Sequence, residues 1–399
     1  MEFIGNLVIY MIMASALIGA IFSLIDDNNE IGRQFLEGIN SIGSIFLPVA
    51  GIMASAPYIT HFVTTVFAPM FSLVGADPAM AATTFIAVDM GGYQLAKELA
   101  HTNEGWIMAM TAGYMAGATI VFSIPVALKM LKPADRRFLA LGTMYGFITI
   151  PVGVLVSSLI IFITEPSIRS SISTSGSSDI TIIFSLKEII FNLTPLCLIC
   201  FSIAFGLYYS PEKMIKGFTI LGKVLDISLR LVFIFCVIEY FTGMFTKLFG
   251  SWGFDPIIAD KNDINRALEV SGYIGIMLCG AFPMVYIIRT YCKKPLQWLG
   301  HKFGLSSELT AALLACSANV LALFAMLNTL TAKDKIKAIS FSVCSAFLVG
   351  DHLAFTANFQ PSLIIAIITG KLFAGCLAIY LSGKLLNDKI IEGRSTSHQ

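Results

Sequence analysis

Val88-Asp89-Met90-Gly91-Gly92-Tyr93 sits near the middle of a run that is otherwise uncharged and apolar. A charge at hydrocarbon depth costs roughly 2.5 to 3.5 kcal/mol on insertion scales, so an aspartate there needs a partner or a task. The Gly-Gly pair lets the backbone leave the helix and offer free carbonyls, which a bilayer tolerates only where protein or a cavity surrounds them. A carboxylate beside an unwound turn is a device for holding a small cation inside a membrane.

The rest of the chain supplies the membrane setting. Hydrophobic residues make up 56% of its 399 residues and charged residues 13%, with a mean hydropathy of +0.80. Its apolar runs repeatedly exceed the roughly 20 residues that span a bilayer. The reading is an all-α polytopic membrane protein. Stretch 3–25 follows Met1-Glu2 rather than a basic flank and is too long for a signal-peptide core, so it reads as a retained helix. A net charge of +1, with no P-loop and no basic tail, gives no sign of nucleic acid. The eight cysteines lie in or at the ends of apolar segments and read as small buried residues, so no metal or cofactor is implied. No Ser-His-Asp order, HExxH motif or cysteine-histidine set suggests an enzyme.

Apolar segments fall near 3–25, 42–70, 78–100, 106–130, 137–164, 182–209, 217–245, 269–290, 307–330, 336–357 and 361–384. The Ser/Thr-rich stretch between the fifth and sixth cannot bury a core. The organisation is therefore a first transmembrane repeat at 1–164, a flexible exposed loop at 165–181, a second repeat at 182–386 and a polar cytoplasmic tail at 387–399. The halves resemble each other in order: Pro57 and Pro69 are spaced as Pro283 and Pro295, Gly51-Ile52-Met53 recurs as Gly275-Ile276-Met277, and 112–123 aligns with 345–356, matching Gly117 to Gly350 and Phe122 to Phe355.

Basic residues orient the halves. Lys129, Lys132, Arg136 and Arg137 form one cluster, with others at Lys213 and Lys216, at Arg289 to Lys302, at Lys333 to Lys337, and at the end around Lys384, Lys389 and Arg394. All belong in the cytoplasm by the positive-inside rule. Segment 307–330 must then enter and return on one side, and its counterpart 78–100 dips from the other. Asp77-Pro78 and Ser306-Ser307-Glu308 supply matching helix starts. Asp89 and Asn319 follow roughly 18 to 20 Å further on, past the middle of a core about 30 Å thick. The expectation is about 9 to 11 membrane segments in inverted repeats, with two re-entrant or broken helices whose tips meet near the midplane.

Asp89, with the carbonyls freed at Gly91 and Gly92, is the candidate cation ligand, and Tyr93, Trp106 or Tyr114 could face an ammonium group through a ring. Asp351 and His352 form a second cluster ahead of Phe355. Lys371 is too deep to stand alone, and an ion pair with Asp351 is its structural reading. The functional reading makes Asp351 a cation ligand and His352 a proton-linked neighbour. Lys97, Glu98, His101 and Glu104 read as a solvated face, and Glu239 as an interfacial acid.

Several of these stretches together resemble one family. Residues 89–100 (DMGGYQLAKELA), 117–128 (GATIVFSIPVAL), 211–218 (PEKMIKGF) and 350–357 (GDHLAFTA) closely resemble the bacterial ethanolamine-utilisation permeases of the EutH type, and the resemblance extends to about residue 384. It implies a multi-pass protein of the bacterial inner membrane that brings ethanolamine to the cytoplasm for catabolism, with ethanolamine and membrane lipid as partners and a homo-oligomer compatible with the layout. Where family members carry Asn-Asn-Ile-Pro, this chain has Ala318-Asn319-Val320-Leu321. The substrate suits the residues, since it is an ammonium with a hydroxyl: Asp89 offers a carboxylate and Asn319 a neutral hydrogen-bonding group. The substrate-binding set is then Asp89, Gly91, Gly92, Tyr93, Asn319, Asp351, His352 and Phe355. A transporter for another small amine or amino acid would use the same aspartate, and a non-transporting sensor is the more distant alternative.

Overall fold

The computed structural model describes residues 2–385 apart from 171, 173 and 175, and of Val121 only the backbone. The tail expected at 387–399 lies outside the described residues. Among the described residues, six helices are long and apolar enough to cross a membrane: Glu2–Ile25, Glu30–Ala54, Pro133–Thr164, Leu186–Tyr209, Ala267–Tyr291 and Pro361–Leu385. The all-α membrane architecture stands. Fewer uninterrupted spans are present than the eleven apolar runs suggest, because several runs are broken or carry charge.

Two of the long helices start where side chains satisfy their first amides. Asn29 accepts from Ile31 and Gly32, and Ser185 with Glu188 forms a reciprocal capping box. They pack where glycine removes the side chain. Glu30–Ala54 lies along Ala267–Tyr291, and a Cβ at Gly38 would stand 2.4 Å from the Cys279 amide nitrogen. Close approach through small residues is how apolar helices associate in lipid, where burial alone gives them little drive. Arg136–Thr164 packs along Ile364–Leu385, and Ala332–Ser345 packs against both.

The run 217–245 belongs to one helix, Pro211–Thr242, that is not among the six apolar spans. Lys223, Asp226 and Arg230 line a cavity of about 1330 Å³ on one side of it. Charge within a membrane helix is expected to face such a space rather than lipid. Segment 165–181 is anchored at its ends: Ser167–Ile168 pairs antiparallel with Ile180–Thr181, and the Arg169 side chain donates to the Asn358 carbonyl.

Two runs are broken as Asp89 and Asn319 suggested. The first forms helices Ala79–Phe85 and Gly92–Leu99, joined through extended Ile86 and Ala87 and a single turn at Val88–Met90. Gly91 has φ +96°, a left-handed conformation that favours glycine. The second forms Ser307–Ala318 and Val320–Met326, separated by extended Asn319. Asp77 accepts from the Ala79 and His101 amides, and Ser306 accepts from Leu309, so both starts are capped.

The runs after each dip, expected to be continuous, are broken too. Asn103–Gly113 gives way to turns before Thr119, and Ala332–Ser345 gives way to turns before helix Asp351–Phe359. The cause is close contact with the preceding dip. A Cβ at Gly117 would stand 2.4 Å from the Ile86 carbonyl oxygen, and one at Gly350 2.2 Å from that of Ala318. In the second half the Phe347 and Val349 amides donate to the Cys316 and Ser317 carbonyls, satisfying backbone groups that a bilayer would otherwise strand.

The matched pairs fare differently. Gly117 and Gly350 occupy corresponding places. Phe122 packs on Phe347 at 5.9 Å and Phe355 packs on Tyr114 at 6.3 Å, the same contact with the halves exchanged. Two other pairs do not correspond. Gly51-Ile52-Met53 lies at the end of its helix and Gly275-Ile276-Met277 inside one, while Pro57 opens a short helix and Pro283 is internal. Recurrence of common residues in apolar helices misled there.

Candidate functional site

Asp89 lies in the single turn between its two helices, four residues beyond Phe85. It does not end a half-helix, so the dipole of Ala79–Phe85 acts on it only from a distance. One carboxylate oxygen, Oδ1, is 3.9 Å from His352 Nε2, with the Asp89 side chain 19% exposed and that of His352 2%. This is too long for a hydrogen bond. Asp89 Oδ1, His352 Nε2 and His352 Nδ1 are all buried without a hydrogen-bond partner. Each such group costs about 1 to 3 kcal/mol, so unpartnered groups converging on one place call for an explanation, of which a functional role is one.

Helix Asp351–Phe359 brings His352 there. Asp351 is its first residue, a position that favours negative charge. Asp351 is within electrostatic range of Asp89. The Tyr114 ring lies 4.9 Å from His352 and the Phe347 ring 5.4 Å. Tyr114 is held by its hydroxyl, 2.6 Å from Thr356 Oγ1, which itself donates to the His352 carbonyl. Thr356 was not among the expected site residues, although it lies in the same short stretch as His352 and Phe355.

Lys371 corrects the expected ion pair. Its Nζ donates to the Tyr114 carbonyl oxygen at 2.8 Å, and the carboxylate within its electrostatic range is Asp89. The Tyr114 carbonyl is available because the helix ends there. A buried lysine thus lies within range of one of the two neighbouring aspartates, Asp89.

The other expected residues divide. Phe355 underlies both Tyr114 and Tyr93, at 6.3 and 5.5 Å. Tyr93 stacks on Trp106 at 4.9 Å, and its hydroxyl accepts from Gln360 Nε2 at 2.8 Å. Trp106 Nε1 donates to the Tyr93 carbonyl, and Lys97 sits 3.8 Å over the Trp106 ring. Of the three rings considered for an ammonium group, Tyr114 is the one beside His352. Asn319 spends its side-chain oxygen on the Leu321 amide at 2.8 Å. Its neighbour Ala318 packs against Gly350, the residue before Asp351.

Two spaces approach this centre. The cavity of about 1330 Å³ is lined by Lys129, Arg136 and Lys216 of the basic clusters and also by Ile52, Ile86 and Met90. A smaller chamber of about 310 Å³ is lined by Met53, Gly91, Gln94 and Glu98 together with Asp255 and Asp263. Asp89 lines neither; its neighbours Met90 and Gly91 line one each.

Broken helices, a buried charge cluster and two approaching cavities define a membrane transport protein by class. The chain belongs to the family described as "Ethanolamine utilisation protein, EutH", whose model matches residues 4–385. It is 36% identical over 388 residues to a protein of Listeria monocytogenes, covering 96% of this chain and 95% of the relative, and that protein bears the name "Probable ethanolamine permease EutH". A protein of the same name from Escherichia coli is 36% identical over 358 residues, covering 87% and 84%. A Bacillus subtilis protein named "Uncharacterized protein YxeR" is 30% identical over 376 residues, covering 94% and 93%. No solved structure matches the chain.

Proposed function

We propose that this chain carries ethanolamine across the bacterial cytoplasmic membrane, as a multi-pass transporter rather than an enzyme, and that Asp89 binds the ammonium end. The single observation behind the assignment of the site is the convergence of unpartnered Asp89 Oδ1 and His352 nitrogens, 3.9 Å apart. The names of the relatives support the substrate. An ammonium donates to the carboxylate, and a hydroxyl can donate to or accept from the imidazole according to its tautomer. Asp351 and Lys371 set the local charge. Gly91, Gly92, Tyr93 and Phe355 act as frame, shaping the turn and the aromatic wall, and Asn319 holds the second tip.

The two broken segments read best as dips from opposite faces in an inverted repeat. The exchanged contacts Phe122 to Phe347 and Phe355 to Tyr114, and the matched glycines against each dip, support this. The basic clusters beside the larger cavity support an opening towards the cytoplasm.

Uptake of labelled ethanolamine into proteoliposomes tests the function. Wild type concentrates or equilibrates label faster than empty vesicles, and Asp89→Asn slows uptake about 10- to 100-fold, the worth of a charged hydrogen bond. Wild-type uptake in a folded Asp89→Asn protein would remove Asp89 as the ligand. Absence of ethanolamine uptake by the wild type, with uptake of another amine, would replace the substrate.

A further inference from the structure

The smaller chamber contains a polar group that the central site leaves unexplained. Gln94 is 4% exposed, lines the chamber, and has neither a donor to its amide oxygen nor an acceptor for its amide nitrogen. A primary amide offers both donors and an acceptor, and leaving it unpaired in protein is costly.

The charged lining is not balanced. Arg266 is engaged by Asp260 at 3.4 Å and Asp263 at 3.8 Å. Lys97 donates to the Ser170 carbonyl at 2.8 Å and lies over Trp106. Among the described residues, Glu98 and Asp255 form no ion pair, and they are within electrostatic range of each other. Burial pushes the Asp255 carboxyl up; Arg266 offsets this in part, while Asp263 and Asp260 add to it. The lining acids Glu98, Asp255 and Asp263 outnumber its cations Lys97 and Arg266, and beside the orphaned amide they form a site for an organic cation that also has a neutral hydrogen-bonding group.

The chamber is separated from the large cavity by very little. Ile52 and Met90 line the cavity, while Met53 and Gly91, the next residues on the same two strands of chain, line the chamber. Ile52 packs so closely on Gly91 that a Cβ there would stand 2.7 Å from it. This septum lies beside Asp89.

We propose that the chamber formed by Gln94, Glu98 and Asp255 is a second binding site for a small hydroxylated ammonium, a waiting station divided from Asp89 by the septum of Ile52-Met53 against Met90-Gly91. In it Glu98 and Asp255 face the ammonium and Gln94 the hydroxyl. Naming ethanolamine as the occupant rests on the proposed function; the chamber itself does not.

Equilibrium binding of labelled ethanolamine to the purified full chain counts the sites. Wild type binds two equivalents, Asp89→Asn retains one, and adding Gln94→Leu and Asp255→Asn to it removes that one, with affinity at least about tenfold weaker. A second readout guards against misfolding. In Asp89→Asn with its exposed native cysteines replaced, a cysteine placed on the chamber lining by Asn265→Cys reacts with a cationic thiol reagent, and ethanolamine slows that reaction about tenfold as it fills the chamber. A single equivalent lost entirely with Asp89→Asn, or labelling of Asn265→Cys that ethanolamine does not slow, overturns the proposal. Retention of both equivalents in Asp89→Asn, with loss of one in the chamber variant, upholds the chamber and instead sinks Asp89 as a ligand.

Discussion

The two tips of the molecule share a scaffold and differ in chemistry. At each, a capped helix stops at an extended residue, a second short helix resumes, and a glycine from the following segment presses on the break, Gly117 on Ile86 and Gly350 on Ala318. At the first tip a carboxylate is left with an unpartnered oxygen facing an unpartnered imidazole. At the second, Asn319 is consumed in capping the helix that follows. The backbone opens at two places, and among the described residues the first is the one left with free polar groups. The difference locates the chemistry better than the symmetry does.

The largest effect expected from this contrast is on stability and comes from Lys371, the cation tied to the first tip. Lys371→Met leaves Asp89 uncompensated and should cost about 3 to 5 kcal/mol, the usual penalty for stranding a buried charge. Combining it with Asp89→Asn should recover much of that loss, and more than combining it with Asp351→Asn, because Asp89 is the acid within range of the lysine. Melting temperatures of the three variants in detergent decide it. Better rescue by Asp351→Asn would restore the ion pair that the sequence suggested.

That ion pair shows where sequence reasoning reached its limit. Asp89, the glycine pair and the second break were legible because charge and helix-breaking residues are rare in apolar runs, and physical cost makes them informative. The partner of Lys371 was not, because it is a backbone carbonyl. Tyr114 offers that carbonyl only because Gly117 must approach Ile86 and the helix gives way there. Nothing in the apolar stretch 106–130 advertises the turn. Gln94 had a weak signal, an amide two residues past the glycines, but its significance lies in having no partner, which sequence cannot display. The charges on Pro211–Thr242 were visible at Lys223, Asp226 and Arg230, yet the cavity that justifies them was not.

The scaffold half of the comparison is sharpened by the matched glycines. Gly117→Ala and Gly350→Ala each drive a methyl group toward a carbonyl oxygen, and each should cost about 1 to 3 kcal/mol by overpacking. Near-equal losses in thermal stability support the equivalence of the two positions. A loss at one and none at the other would mean that the two breaks are not built alike.

The smallest effect belongs to the second tip. Asn319→Ala removes the acceptor for the Leu321 amide and should cost about 1 kcal/mol, as losing a helix cap ordinarily does. Asn319→Asp, whose carboxylate can accept the same hydrogen bond, should retain most of that stability. Neither change alters the charge or hydrogen-bonding groups at Asp89 and His352, so ethanolamine uptake should stay within about twofold of wild type, under 0.5 kcal/mol. Cap and ligand roles separate through the pattern across the two variants. A capping role makes stability follow the ability to accept a hydrogen bond and leaves uptake nearly flat. A ligand role makes uptake fall in Asn319→Ala by far more than the melting temperature accounts for, and that outcome would return the second tip to the binding site.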